Sequence, residues 1–295
     1  MAFNPNAVFI SPSSLGDFEK CPQLYYYRSV FRSPRGLKIQ IINPSLAIGA
    51  CVHDTLEQFL KLSPADRLRS ELFRIFEWNW KSFSGEKGGF TLKDEEELAR
   101  QKASAMLERF FGNKHFLVTE AVKIPGFPKV ELGNDLILTG KLDWIEKEQD
   151  TYHVIDFKTG KNEEREDSQQ LPIYSLLVAR LLNTDKIKTS YWYLDKDEDI
   201  RPFPSADIEE TFKTIKQKGE ILKLVRQTNS YRCQSGNEFC WACKDMHEVA
   251  HGKGKLVNVD PVNRKQEIYI LVEEDKPVPT EEKQETISFA DDLPF

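Results

Sequence analysis

The chain has 295 residues, 40% hydrophobic and 30% charged, with 15 Gly and 15 Pro. That composition excludes collagen-like, low-complexity and wholly disordered chains, and the length allows one large domain or two small ones. The net charge of −6 sits entirely in the last stretch: Glu273 to Phe295 carry eight acids against two lysines, so the body is neutral and free to hold a basic groove.

No apolar run reaches the ~18 residues of a membrane span, and Met1 to Ser11 lacks a basic segment followed by an apolar one. The expected location is therefore the cytoplasm, with no membrane partner. The elements then read in order. Ser11-Pro12-Ser13-Ser14 starts a capped helix that Cys21-Pro22 interrupts. Helices follow at about Ala47 to Lys61, with Val52, Leu56, Phe59 and Leu60 on one face, at Leu68 to Phe83 and at Asp94 to Phe111. Extended segments are expected at Phe116 to Ile124, Asp135 to Ile145 and Tyr152 to Lys158, the last two joined by a polar turn region at Glu146 to Asp150. An amphipathic helix from Ser168 to Leu182, a strand from Ile187 to Leu194 and a long helix from Ala206 to Arg226 complete an α/β pattern with a mixed sheet. Gln266 to Val272 reads as a late strand, and the Pro, Glu, Lys and Thr from Glu273 onward as a disordered acidic tail.

The chemistry concentrates in Gly140-Lys-Leu-Asp143 and Asp156-Phe-Lys158-Thr-Gly160. Adjacent strands set Asp143 and Asp156 side by side, an oxygen donor pair suited to Mg²⁺ or Mn²⁺. Lys158, two residues after Asp156, shares its strand face and can stabilise charge developing on a phosphate. Taken alone, Asp-x-Lys also fits a solvated surface pair. The five cysteines, Cys21, Cys51, Cys233, Cys240 and Cys243, are an odd number in a chain without a signal segment, so the grouped ones read as metal ligands and Cys51 as a small buried hydrophobe.

These motifs, with Cys21-Pro22, Gly49-Ala-Cys-Val-His53, Gln170-Leu-Pro-Ile-Tyr174 and Cys240-Trp-Ala-Cys243, stand in one order over residues 11–250. In that order the chain resembles the PD-(D/E)XK nuclease superfamily, and within it the RecB/AddB-type nucleases. The resemblance implies a restriction-endonuclease-like core, a mixed central sheet flanked by helices, preceded by a helical region. It implies one nuclease domain over 1–257, a linker or late strand at 258–272 and the tail at 273–295. It implies a catalytic set of Asp143, Asp156, Lys158, Gln170 and Tyr174, with His53, Asp143 and Asp156 holding the Mg²⁺ or Mn²⁺. Leu142 stands where the superfamily name has proline. Glu120 is a weaker site candidate and reads better as a surface residue.

The same resemblance implies a [4Fe–4S] cluster on Cys21, Cys233, Cys240 and Cys243. The late spacing departs from the family pattern, because no cysteine follows Cys243 and Cys233 precedes Cys240 by seven positions. Cys233 takes over the missing role, or His247 or His251 completes a zinc site, or the cluster is lost.

The terminal Asp291-Asp292-Leu293-Pro294-Phe295 resembles the acidic tip of bacterial single-stranded DNA-binding proteins, which implies a protein partner that recognises such tips. The combined expectation is a metal-dependent DNA exonuclease of phage or bacterial replication, recombination or repair. There is no Gly-x-x-x-x-Gly-Lys-[Ser/Thr] loop, so any helicase is a separate chain. The alternatives are a CRISPR-adaptation nuclease that trims DNA ends, or an idle DNA-binding module that recruits partners through its tail.

Overall fold

The structure, a computed structural model, describes residues 7–233, 235–236, 239–262 and 264–272. The acidic tail and its Asp291 to Phe295 tip lie outside the described residues. After β1 (Val8–Ile10), Ser11 caps α1 (Pro12–Lys20): its hydroxyl accepts from Ser14 N, and Ser14 Oγ accepts from Ser11 N. Cys21 is extended, which ends α1 and starts α2 (Pro22–Tyr25), continued by a π turn to Val30. Next come β2 (Lys38–Ile41), α3 (Pro44–Leu60), α4 (Arg69–Trp80), α5 (Lys93–Gly112) and α6 (His115–Val118). Asn43 caps α3 by accepting from Leu46 N at 2.9 Å.

The chain then builds β3 (Lys129–Gly133), β4 (Leu136–Thr139), β5 (Trp144–Glu148), β6 (Thr151–Lys158), α7 (Gln170–Leu182), β7 (Ile187–Tyr193), β8 (Arg201–Phe203) and α8 (Ile208–Thr228). It ends with α9 (Lys244–Ala250), β9 (Gly254–Asp260) and β10 (Gln266–Leu271). The central sheet has the order β5-β6-β7-β8. Strands β6 and β7 are parallel, with α7 as their crossover, and the outer pairs are antiparallel. The sheet is therefore mixed, and the chain has the expected α/β architecture.

Alternation along β6 divides the core. Ile155 and Phe157 pack with Phe59, Phe76 and Phe110 of α3–α5, while Val154 packs with Leu171, Leu176 and Leu177 of α7 and Ile215 of α8. Each large apolar side chain buried this way contributes about 1.5–3 kcal/mol before entropy is counted. Two smaller sheets have the strand orders β1-β4-β3 and β2-β10-β9. No described helix is long and apolar enough to cross a membrane.

Three sequence expectations are corrected. Phe116 to Ile124 is not a strand: its start is α6, with Phe116 and Leu117 buried, and residues 119–124 join no strand. Asp135 to Ile145 is not one strand but β4 and β5, in different sheets. The break falls at Gly140, where a Cβ would stand 2.9 Å from the Tyr174 ring. The polar region from Glu146 is mostly strand: β5 runs through Glu148, and a two-residue turn at Gln149-Asp150, with Gln149 at φ 54°, closes the hairpin. The short strands β1, β2, β3, β8 and β9 had no sequence reading, and residues 258–272 hold the end of β9 and all of β10.

Candidate active site

Asp143 immediately precedes β5, and the β5–β6 register continues it to a place opposite Asp156. Its Oδ2 accepts from Phe157 N at 3.0 Å, so the side chain substitutes for a ladder carbonyl and locks itself against β6. Its Oδ1 lies 3.2 Å from His53 Nδ1, delivered from the third turn of α3. Asp156 is 3% exposed and Lys158 Nζ lies 3.1 Å from its Oδ2. Gln170, at the start of α7, donates from Nε2 to Asp156 Oδ1 at 2.8 Å and accepts from Lys158 Nζ with its carbonyl. Tyr174, one turn on, has its hydroxyl 3.2 Å from the same Nε2. The six residues singled out in the sequence for the catalytic centre thus occupy one place in the fold.

The electrostatics show two acids sharing too small a volume. Burial and then the Asp143 charge push Asp156 up to about 7, against the pull of Lys158 and His53. Burial lowers the His53 pKa, but Asp143 and Asp156 outweigh it and the net shift is upward. For Lys158 burial opposes the charged form, while Asp156 and Glu164 more than compensate, so the ammonium is held above its ordinary value. Burial first, and the Asp156 charge second, raise Tyr174, which keeps its proton.

Oxygen and imidazole donors beside surplus negative charge suit a divalent cation such as Mg²⁺ or Mn²⁺. His53, Asp143 and Asp156 do not all converge within 4.8 Å; among the described residues two other groups do, the four cysteines and Glu146 with Glu148 and His153.

Sequence reasoning missed Glu164, whose Oε1 lies 2.9 Å from Lys158 Nζ. It stands in a polar loop with no periodic signal, so only the folded loop brings it to the lysine. Tyr191 was missed as well; Lys158 Nζ lies over its ring at 4.9 Å. Glu120 is exposed, in line with its surface reading.

A cleft of about 810 Å³ opens beside this centre, lined among others by Arg28, Lys141, Glu164, Gln170 and Tyr174. A neighbouring cleft of about 680 Å³ collects Arg28, Arg32, Lys38, Arg226 and Arg264. Burial and the nearby Arg226 lower the Arg32 pKa, and burial with Arg32 lowers that of Lys38. Crowded cations of this kind favour an anionic ligand. Arg28 pairs with Asp17 of the same cleft and Arg264 with Asp54, so part of this positive charge is already compensated.

Cys21, Cys233, Cys240 and Cys243 converge so that their sulfurs all lie within 4.8 Å of one another. Cys243 Sγ is 3.7 Å from Cys240 Sγ and 3.9 Å from Cys233 Sγ. Cys233 joins the group. His247 instead places Nδ1 2.6 Å from the Tyr27 hydroxyl, and His251 Nδ1 is 2.8 Å from the His247 carbonyl oxygen. Cys51 is wholly buried, and burial pushes its thiol up to about 12.

Residues 10–245 match the family model of the PD-(D/E)XK nuclease superfamily. The match spans most of the chain and both acids of the site, and the chain belongs to that superfamily. Among solved structures, it is similar to the one described as "Putative exonuclease" from Eubacterium rectale, at 14% identity and a TM-score of 0.46, covering 86% of this chain and 91% of that one. No curated protein matches.

Proposed function

We propose that the protein is a Mg²⁺- or Mn²⁺-dependent deoxyribonuclease of RecB-like type, acting as an exonuclease in DNA replication, recombination or repair. The observation that carries this reading is Lys158 Nζ held 3.1 Å from Asp156 Oδ2, with Asp143 opposite Asp156 immediately before the adjoining strand. His53, Asp143 and Asp156 are the residues to hold the cation. When bound, such an ion supplies Lewis acidity toward a phosphoryl oxygen and lowers the pKa of water.

The chain's own groups do the rest. Gln170 fixes the Lys158 ammonium beside Asp156, where it stabilises charge on the scissile phosphate. Tyr174 keeps its proton and holds the Gln170 amide from below. Arg28, Arg32, Lys38, Arg226 and Arg264 supply a path for the DNA backbone. The acidic tip, Asp291 to Phe295, docks on a partner that recognises single-stranded DNA-binding protein tips.

The four cysteines form a metal site. Ligand sulfurs around a single tetrahedral ion with ~2.3 Å bonds stand about 3.8 Å apart, close to the separations here. Thiolates on a [4Fe–4S] cube bind different irons and must stand farther apart. The spacing therefore favours zinc, while the resemblance favours the cluster.

The test is cleavage of end-labelled linear and circular DNA, single- and double-stranded, with Mg²⁺ or Mn²⁺. Linear substrate should be degraded from its ends, and Asp156→Ala and Lys158→Ala should each abolish this without loss of fold. Wild-type rates in both variants would remove the assignment. Truncation from Ser288 should leave cleavage of naked DNA unchanged and weaken partner binding. Faster cleavage by the truncated protein would instead indicate a tail that occupies its own DNA groove.

A further inference from the structure

The turn end of the β5–β6 hairpin carries a second donor cluster, on the opposite face of β6 from Asp156. Glu146 and His153 are direct cross-strand partners, and Glu148 lies two residues along on the same face. One carboxylate or ring atom from each of the three lies within 4.8 Å of the others. Glu146 and His153 are almost fully buried, at 1% and 3% exposure.

His153 Nε2 lies 2.8 Å from Ser190 Oγ. Its other nitrogen, Nδ1, is buried without a hydrogen bond, although it stands 3.3 Å from Glu146 Oε1 and 3.5 Å from Glu148 Oε1. A buried polar atom left unpaired costs about 1–3 kcal/mol and calls for a missing partner. With the ring proton on Nε2 toward Ser190, Nδ1 turns a lone pair toward two carboxylate oxygens. In that tautomer three lone pairs face one another and a metal cation between them removes the repulsion; in the other, a proton on Nδ1 does so.

The spacing fits such a cation. Ligand atoms at ~2.0–2.1 Å around a tetrahedral ion stand about 3.3–3.4 Å apart. The remaining valences of each donor are already engaged. Glu146 Oε2 accepts from Trp144 Nε1 at 2.8 Å and meets His115 Nε2 at 2.6 Å. Glu148 Oε2 accepts from Lys188 Nζ at 2.6 Å. Oriented carboxylates with one free oxygen each, and an imidazole whose far nitrogen is tied, are the support that metal ligands receive in metalloproteins. His115 and Lys188 are the basic groups that contact this cluster, and both act on the oxygens turned away from it.

We propose that Glu146, Glu148 and His153 bind a divalent transition metal of the Zn²⁺ class, separate from the catalytic centre and from the cysteines. Imidazole with two carboxylates suits Zn²⁺ better than Mg²⁺, which prefers an all-oxygen octahedron. The ion clamps the closed end of the hairpin whose open end presents Asp143 and Asp156.

The full chain and its Glu148→Gln variant, both stripped with chelator, are titrated with Zn²⁺ while bound zinc and Tm are measured. Zinc on the cysteines is common to both proteins and cancels in the difference. The wild type should hold about one Zn²⁺ per chain more than Glu148→Gln, or bind that ion at least about tenfold more tightly, and its Tm should respond to zinc more strongly. His153→Gln should behave likewise. Glu148 is 46% exposed at its side chain, so its variant decides the matter even where His153→Gln does not fold. Identical zinc content and identical Tm response in wild type and Glu148→Gln would overturn the site and leave Glu146 and His153 as a buried histidine–carboxylate contact.

Discussion

Gly49 of α3 lies so close to Thr159 that a Cβ placed on it would stand 2.9 Å from Thr159 Oγ1. The contact joins the helix that delivers His53 to the end of β6, one residue past Lys158. It gives a physical reason for glycine four residues before His53. Any side chain there presses α3 away from the strand that carries Asp156 and Lys158. Gly49→Val should therefore reduce DNA cleavage at least tenfold, because an ångström of misplacement between catalytic groups can cost about a hundredfold. Gly49→Ala should be milder, and Thr159→Ala should rescue it by removing the opposing oxygen. A double-mutant cycle on cleavage rate reads this directly: two independent losses would show that the close approach is not what matters.

Gln170 joins the two proposed catalytic groups, donating to Asp156 and accepting from Lys158. Gln170→Leu keeps the volume of the side chain but leaves Asp156 Oδ1 without its amide partner and Lys158 without its carbonyl. The expected result is a kcat lower by about ten- to a hundredfold with KM little changed, since Gln170 positions Lys158 rather than gripping the DNA path. Gln170→Glu should recover part of the Lys158 contact while adding a third negative charge beside Asp156. A loss in KM alone would show that Gln170 contacts substrate instead.

The grouping of the candidate site residues was more legible in the sequence than the fold around them. Asp143, Asp156 and Lys158 are short-range facts of two strands, and Gln170 with Tyr174 follows from helical spacing. The elements that failed did so for tertiary reasons. The apolar run at Phe116 carries no signal that separates a strand from a buried turn of helix. Nothing in Asp135 to Ile145 marks the change of sheet except Gly140, whose meaning appears only when Tyr174 of α7 packs onto it. Glu164 and Glu146 are ordinary glutamates in the sequence. Long-range partners, Lys158 for one and His115 and Trp144 for the other, distinguish them. The convergence of Cys21 with three cysteines more than two hundred residues later likewise needs the fold.

Glu267 on β10 gives an acid-sensitive link between the end of the described chain and its start. It is 1% exposed, accepts from the Tyr269 hydroxyl at 2.6 Å and pairs with Arg35 at 2.8 Å. Burial raises its pKa, but Tyr269, Arg35 and Ser33 outweigh that and hold it below the ordinary 4.5. A carboxylate with a depressed folded-state pKa adds stability above its unfolded value. That contribution is lost as the pH falls through 4.5 toward the folded value. Glu267→Gln should thus be less stable than wild type near neutrality, by about 1–3 kcal/mol for lost charge-assisted bonds. The gap should close as the pH drops below about 4. Urea unfolding at pH 7 and pH 3.5 measures it, and a gap that widens on acidification would contradict the assignment.

The four cysteines predict what metal removal does. Cys21 is wholly buried between α1 and α2, whereas Cys240 and Cys243 lead into α9, so an ion held by all four ties the first helices to the last one. The apolar cluster around them is small: Leu24, Tyr27, Ile39, Met246 and Val249 are its other buried members. With little core of its own, this corner should depend on a metal held by the proposed site for much of its order, as small metal-clipped units do. Protein purified without oxygen should contain about one zinc per chain that Cys21→Ser removes, with a lower Tm. A brown protein with about four irons per chain would place the cluster there instead. Strong chelation should lower the Tm of wild type by more than that of Cys21→Ser, in which only the hairpin site is left to strip. Because the corner lies on α2 and α9, away from Asp143 and Asp156, the stripped protein should keep its Mg²⁺-dependent cleavage at low temperature and lose it on warming before the wild type does. Equal thermal inactivation of stripped and loaded protein would show that the four thiols, though gathered, hold nothing that the fold requires.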